Sequence, residues 1–164
     1  MSDVADFDSP SMHFLHLLHK AVFAFDRHAD RVLHEQHQCS FSQFLVLLAV
    51  GHCPAASQRD IAAFLNLTPA AVSRMLDTLV QSGMLSREQS PASRRTNVVT
   101  LTPAGATHLR DMQSALAATF TELTESISEK HLRNASGTME MLLGSLGIDY
   151  TDCPQLKVKV SKKN

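Results

Sequence analysis

Apolar residues recur three and four positions apart through most of this chain, and the interruptions mark its turns. From about Ser11 to about Glu35, Phe14, Leu17, Leu18, Ala21, Val22, Phe25, Val32 and Leu33 share one helical face. So long a stripe outruns the core beside it, which predicts a first helix packed on a partner. Ser40-Phe41-Ser42-Gln43 reads as a capping box opening a second helix, Phe41 to Val50, with Gly51 and Pro54 as its stop. Ser57-Gln58-Arg59-Asp60 opens a third helix, with Ile61, Ala62 and Leu65 inward. Asn66-Leu67-Thr68 then turns the chain into a fourth, which Thr68 caps and Pro69 starts. Its inner face is Val72, Met75, Leu76, Leu79 and Val80, so Ala70, Ala71, Ser73, Arg74 and Asp77 point away from the core.

After Gly83 the period drops to two. Met84 to Glu88 and Asn97 to Leu101 read as paired strands, with Leu85 and Val98/Thr100 alternating with polar neighbours and Gln89 to Thr96 as the tip. Thr102-Pro103 restarts a helix whose stripe is Leu109, Met112, Leu116, Phe120, Leu123 and Ile127. A sixth helix begins near Glu129, buried through Leu132, Met139, Leu142, Leu143 and Leu146. The predicted fold class is mainly α with a small two- to three-stranded β wing. It is a winged helix–turn–helix carried between long N- and C-terminal helices.

The 164 residues suit one compact multi-part unit. No apolar run nears the roughly 20 residues of a membrane helix. The acidic start MSDVADFDSPSM lacks the basic and apolar pattern of a secretory signal, so a cytoplasmic protein is expected, with no membrane partner. Net charge is −1, which at first argues against nucleic acid. The distribution of that charge argues the other way. Residues 1–56 carry net −3, residues 57–110 carry six Arg against three acidic groups for +3, residues 111–149 carry −4, and the tail 150–164 carries +3. The helix–turn–helix and wing form a basic island in an acidic body.

The run Leu67-Thr68-Pro69-Ala70-Ala71-Val72-Ser73-Arg74-Met75-Leu76-Asp77-Thr78-Leu79 leads to Gly83-Met84-Leu85-Ser86-Arg87. Arg94-Arg95 and Val99-Thr100-Leu101-Thr102-Pro103-Ala104-Gly105 follow. With these intervals, residues 12–148 resemble the MarR family of winged-helix transcription regulators. The resemblance implies a homodimer in which the first, fifth and sixth helices of two chains interlock, with two winged units below. It divides the chain into a dimerisation helix (11–37), a winged helix–turn–helix (38–101), further dimerisation helices (102–148) and a flexible basic tail (149–164). It also implies a double-stranded DNA partner with a pseudo-palindromic operator. Thr68, Ala70, Ala71, Ser73 and Arg74 match the surface that enters the major groove. Arg94 matches the wing arginine that enters the minor groove, with Arg95 beside it, and Gln58 and Arg59 sit where the supporting helix meets phosphate. In one departure, Ser93 stands where the family often has Asp. That Asp is expected to brace the wing against basic groups such as Arg87, so the wing here is expected to be looser when unbound.

Nine histidines invite a metal reading. His16/His19 and His34/His37 are each one turn apart, a spacing that permits shared ligation, but on a helical wheel both pairs face away from the apolar stripe. His28 lies near that stripe. The residues form no closed ligand set, so neither a metal site nor a cofactor is assigned. Family pockets lie between the dimer helices and the winged unit, and here the candidates for a small-molecule effector are His13, His16, Phe44, His52 and His108. The three cysteines, Cys39, Cys53 and Cys153, lack CxxC spacing. Cys39 lies near that cleft and is the redox candidate, while Cys39 and Cys53 sit at opposite ends of a helix and cannot pair within one subunit. There is no nucleophile elbow, phosphate loop or complete metal motif, so an enzyme is not expected. The leading expectation is a homodimeric, sequence-specific repressor released by a small ligand. The alternatives are a redox- or metal-responsive regulator of the same fold and a helical interaction module that no longer binds DNA.

Overall fold

A computed structural model describes residues 9–52, 57–65, 67–90 and 93–147, with backbone alone at 89–90 and 93–97. Six helices and one antiparallel ribbon follow in the order α1 Pro10–His37, α2 Phe41–His52, α3 Gln58–Phe64, α4 Pro69–Gln81, β1 Leu85–Ser90, β2 Ser93–Leu101, α5 Pro103–Thr124 and α6 Glu129–Ser145. Asn66, Cys53, Pro54, Cys153 and the tail from 149 onward lie outside the described residues.

Polar caps set the helix boundaries. The Ser9 hydroxyl accepts from the Met12 amide, and α1 ends where Gln38 turns left-handed at φ 52°. Two residues later, the Ser40 amide donates to Gln43 Oε1 at 3.0 Å and the Gln43 amide donates to Ser40 Oγ at 3.1 Å. That reciprocal box starts α2 where the sequence places it. The Asp30 carboxylate also accepts from the Phe41 amide at 2.8 Å, which ties the start of α2 to the side of α1. The end of α2 differs from expectation. The helix runs through Gly51 to His52, and a Cβ at Gly51 would lie 3.1 Å from both Leu101 and Leu109. Gly51 is a point of close approach rather than a stop. At Gly83, by contrast, φ is +76°. The Gly83 amide returns to Val80 O and the Met84 amide to Leu79 O, and this paired closure turns α4 into the ribbon.

β1 and β2 pair from Leu85↔Leu101 to Gln89↔Asn97, with an irregularity beyond Gln89 that pairs Ser90 with Ser93. Both strands are longer than the apolar alternation suggests, and among the described residues the third strand is reduced to one bridge between Ser57 and Val98. The inward face is also one residue out of phase with the expectation. Leu85 and Val99 are buried, while Val98 and Thr100 are half-buried. The outer face holds the Ser86–Thr100 hydroxyl pair at 2.7 Å.

The core gathers around α2. Phe44, Val46, Leu47, Ala49 and Val50 meet Ala29, Val32 and Leu33 of α1, Ile61 and Ala62 of α3, Val72, Leu76 and Leu79 of α4, and Leu109, Met112 and Leu116 of α5. The first half of α1 and all of α6 lie outside it. Phe23 is 59% exposed, Met141 69% and Leu146 65%. The sixth-helix stripe therefore departs from expectation within one chain. Leu132 and Leu146 are exposed, Met139, Leu142 and Leu143 are half-buried, and α6 has no buried residue.

Candidate nucleic-acid interface

The N-terminus of α4 is built to be presented. The Thr68 hydroxyl accepts from the Ala71 amide at 3.2 Å, and Pro69 supplies the fixed φ of a first turn. Val72, Leu76 and Leu79 anchor one face in the core. At 3.6 residues per turn, Ala70, Ser73, Arg74 and Asp77 then share the opposite stripe. Ala70, Arg74 and Asp77 are exposed, whereas Ala71 and Ser73 are half-buried. The stripe thus begins with small side chains, which permit close backbone approach, and carries one long cation a turn further on.

α3 holds this helix in place through Gln58, whose Nε2 donates to Pro69 O at 3.1 Å. One N–H of that amide is committed to the α4 backbone. The family resemblance puts Gln58 at a phosphate, and nothing in the sequence signals this inter-helix bond. Arg59 beside it is exposed. Ser57 caps α3 reciprocally with Asp60, and the hydrogen bonds from the Ser57 hydroxyl and amide hold the Asp60 carboxyl below its usual range. Ser57 also bridges to Val98, so the start of α3 is tied to β2.

The ribbon stands beside α4 and is joined to it by an ion pair. Arg87 Nη2 of β1 lies 2.8 Å from Asp77 Oδ1 of α4. Arg94 and Arg95 are on β2, with side chains outside the described residues, as is that of Ser93. Arg87 therefore has a carboxylate partner on α4, and the missing wing Asp does not leave it uncompensated.

This order of helix, turn, helix and ribbon is matched by known proteins. Residues 40–96 match the profile of the MarR family. Over that stretch the chain is similar to the MarR family. It is 27% identical over 128 residues to the transcriptional regulator HosA of Escherichia coli O111:H-, an alignment covering 78% of this chain and 89% of HosA. Wild-type apo MarR from E. coli superposes with a TM-score of 0.69 at 25% identity, covering 78% of this chain and 95% of that one. A cysteine-substituted E. coli MarR complexed with operator DNA has a TM-score of 0.69 at 24% identity, covering 87% and 99%.

Around this helix–turn–helix unit, the ligand candidates are not gathered in one place. His13 and His16 line a surface hollow at the start of α1 with Met12 and Leu15. Phe44 is buried and stacked on Phe41 at 5.9 Å, and His52 is half-buried at the end of α2. His108 lines a separate cavity of about 250 Å³ between α1, α2, α4 and α5, together with His37, Cys39, Gln43, Thr78 and Ser82. The helical wheel puts His37 on an outward face. It is instead half-buried, edge-on to His108 with ring centroids 5.4 Å apart. Its spacing of four from buried Leu33 is the signal that could have found it. His28 is half-buried and accepts from Arg31 Nη2 at 2.8 Å.

Among the described residues, no group of three or more His, Cys, Asp or Glu side chains converges to hold a metal ion. Cys39 is buried, and desolvation, followed by the nearby Asp30 carboxylate, pushes its thiol up to about 11. A protonated, enclosed thiol is a poor nucleophile at neutral pH. No helix among the described residues is long and apolar enough to cross a membrane.

Proposed function

We propose that this chain is a sequence-specific regulator of transcription that binds double-stranded DNA as a homodimer and acts as a repressor released by a small-molecule ligand. The observation that carries this reading is the outer stripe of α4. It is a capped, exposed helix start with small residues followed by Arg74, backed by a core face and flanked by a β ribbon. In this reading α4 enters the major groove, where Arg74 meets guanine or phosphate, and Ala70, Ala71 and Ser73 allow the approach. Thr68, Arg59 and the second N–H of Gln58 serve phosphate oxygens. Arg94, with Arg95 beside it, reaches the adjacent minor groove, whose negative potential favours a guanidinium. The net +3 of residues 57–110 supplies the steering field.

Dimerisation is supported by the apolar groups a single chain leaves uncovered. Leu17, Val22 and Phe25 of α1, Leu123 of α5, Leu132 of α6 and Leu146 just after it are all exposed. Residues 11–37 and 102–148 would interlock with a second copy, leaving 38–101 to face DNA. Two α4 helices related by a two-fold axis then read half-sites about 34–36 Å apart. A protein doing this work resides in the cytoplasm with the DNA it reads. The effector would act in the cavity lined by His37 and His108, because its walls join the end of α4 to the dimer helices α1 and α5. The buried, protonated Cys39 favours this ligand reading over direct oxidant sensing.

The test is a binding titration and footprint on the DNA flanking the chain's own gene across a salt series. Binding should be dimeric, protect two half-sites and weaken steeply with salt. Arg74→Ala should cost about 1–3 kcal/mol, roughly 5- to 150-fold, on the specific site. No salt-sensitive preference for that DNA would end the proposal.

A further inference from the structure

On the assumption that α4 enters the groove, its stripe contains a group that does not belong there. Asp77 lies one turn beyond Arg74 on the same face as Ala70 and Ser73, and is exposed. A bare carboxylate at that place would face a polyanion. In the structure it is not bare, because Arg87 of β1 reaches across and pairs with it at 2.8 Å. We infer that Asp77 and Arg87 are a paired positioning device, a link that fixes the ribbon on the DNA-facing stripe and cancels its own charge where DNA approaches.

Three features of the fold support this. Arg87 sits two residues beyond Leu85 and opposite Val99, both buried, so its stem runs along the inner face of the ribbon where α4 passes. The covalent path between the two groups is the left-handed Gly83 turn, which sets direction and not the spacing of ribbon from helix. A second tie of the ribbon to the helix–turn–helix is the bridge from Ser57 to Val98, on the opposite strand. With that bridge on β2 and the ion pair on β1, both strands are held against the unit that reads the DNA. Base contacts and ribbon contacts then act at one fixed separation, which gives discrimination rather than raw affinity.

Charge and position make different demands, so they can be separated. Asp77→Asn leaves Arg87 as an uncompensated cation. It should strengthen binding to scrambled DNA and steepen the log–log salt slope by about 0.9. Arg87→Gln leaves the carboxylate exposed and should do the reverse by a similar amount. The double variant Asp77→Asn/Arg87→Gln restores the charge balance but not the link.

The experiment is a salt-series titration of all four proteins on promoter and scrambled duplexes, with thermal unfolding alongside. Both groups are solvent-exposed, so midpoints should stay close to wild type. In the double variant, affinity for scrambled DNA and its salt slope should match wild type, while the promoter-to-scrambled ratio falls at least five-fold. A double variant that keeps the wild-type ratio overturns the inference and leaves the DNA-binding reading standing. A wild-type chain with no preference for promoter over scrambled DNA overturns the DNA-binding reading, and this inference with it.

Discussion

Gly105→Ala places one methyl group where the fold has no room for it. Gly105 is buried in the first turn of α5, and a Cβ built there would lie 2.0 Å from the carbonyl oxygen of Met84 and 2.9 Å from its carbon. A carbon–oxygen contact of about 3.3 Å is the closest ordinary approach, so one backbone must retreat by roughly 1.3 Å. The obstacle is not a side chain that can rotate away. Met84 O already accepts from the Thr102 amide at 3.1 Å, while the Thr102 hydroxyl donates to the neighbouring Gly83 O at 2.7 Å. Retreat weakens the amide bond, at about 1 kcal/mol, on top of an overpacking cost of about 1–3 kcal/mol. The helix preference for Ala over Gly returns about 1 kcal/mol at most.

The net destabilisation is therefore about 2 kcal/mol. For a chain of this length it lowers the thermal midpoint by roughly 4–8 °C. The assay is circular-dichroism melting at fixed protein concentration, because the proposed dimer would make the midpoint concentration-dependent. Met84 is also the residue from which the ribbon departs, so DNA affinity should fall below what the unfolded fraction explains. Ala104→Gly, at the exposed neighbour in the same turn, separates helix-start propensity from collision and should cost under about 1 kcal/mol. A Gly105→Ala melt within a degree or two of wild type would refute the packing argument.

Leu76, fully buried where α4 meets the core, should lose about 2–5 kcal/mol on substitution by Ala, read as a lowered denaturant midpoint with an unchanged slope. Cys39 should make stability depend on pH in the alkaline range only. Its thiol is raised to about 11 in the fold, against about 8.5 unfolded, so the contribution is whole below about 8.5 and is lost as pH rises through about 11. Denaturant unfolding between pH 8 and 11 should therefore fall more steeply in wild type than in Cys39→Ala, and equal slopes would refute the buried neutral thiol. At pH 7, brief peroxide treatment should leave DNA binding intact.

The parts of this fold legible in the sequence are those that local chemistry decides. Ser40 with Gln43, Ser57 with Asp60, Thr68 before Pro69 and Thr102 before Pro103 each announce a helix start within four residues, and the structure places a helix at all four. The errors fall where a distant neighbour decides. Gly51 reads as a stop because nothing local shows Leu101 and Leu109 closing on it. The ribbon reads one residue out of phase because Val98 and Val99 are equally apolar, and only the pairing of Leu85 with Leu101 chooses between them. Asp77 and Arg87 are ten residues apart on different elements. Their pairing depends on the angle at Gly83, which the sequence signals as a turn but not as a direction.

The same distinction explains why the proposed DNA-facing surface is easier to read from the sequence than the proposed effector site. The α4 stripe is one helix read at one period, so naming its core residues also names what lies opposite. The cavity beside His108 draws its walls from four elements, and His37 enters it from the last turn of α1, four residues beyond buried Leu33. That cavity touches both Thr78 and Ser82 near the end of α4 and His108 on α5. Anything that spreads its walls moves α4 against the helices that would hold the partner subunit. In the proposed dimer two copies of α4 would have to stay about one helical turn of DNA apart, so a shift at the cavity would take both half-sites out of register. The coupling needs no contact between effector and DNA, only the rigidity of an α4 anchored by Val72, Leu76 and Leu79.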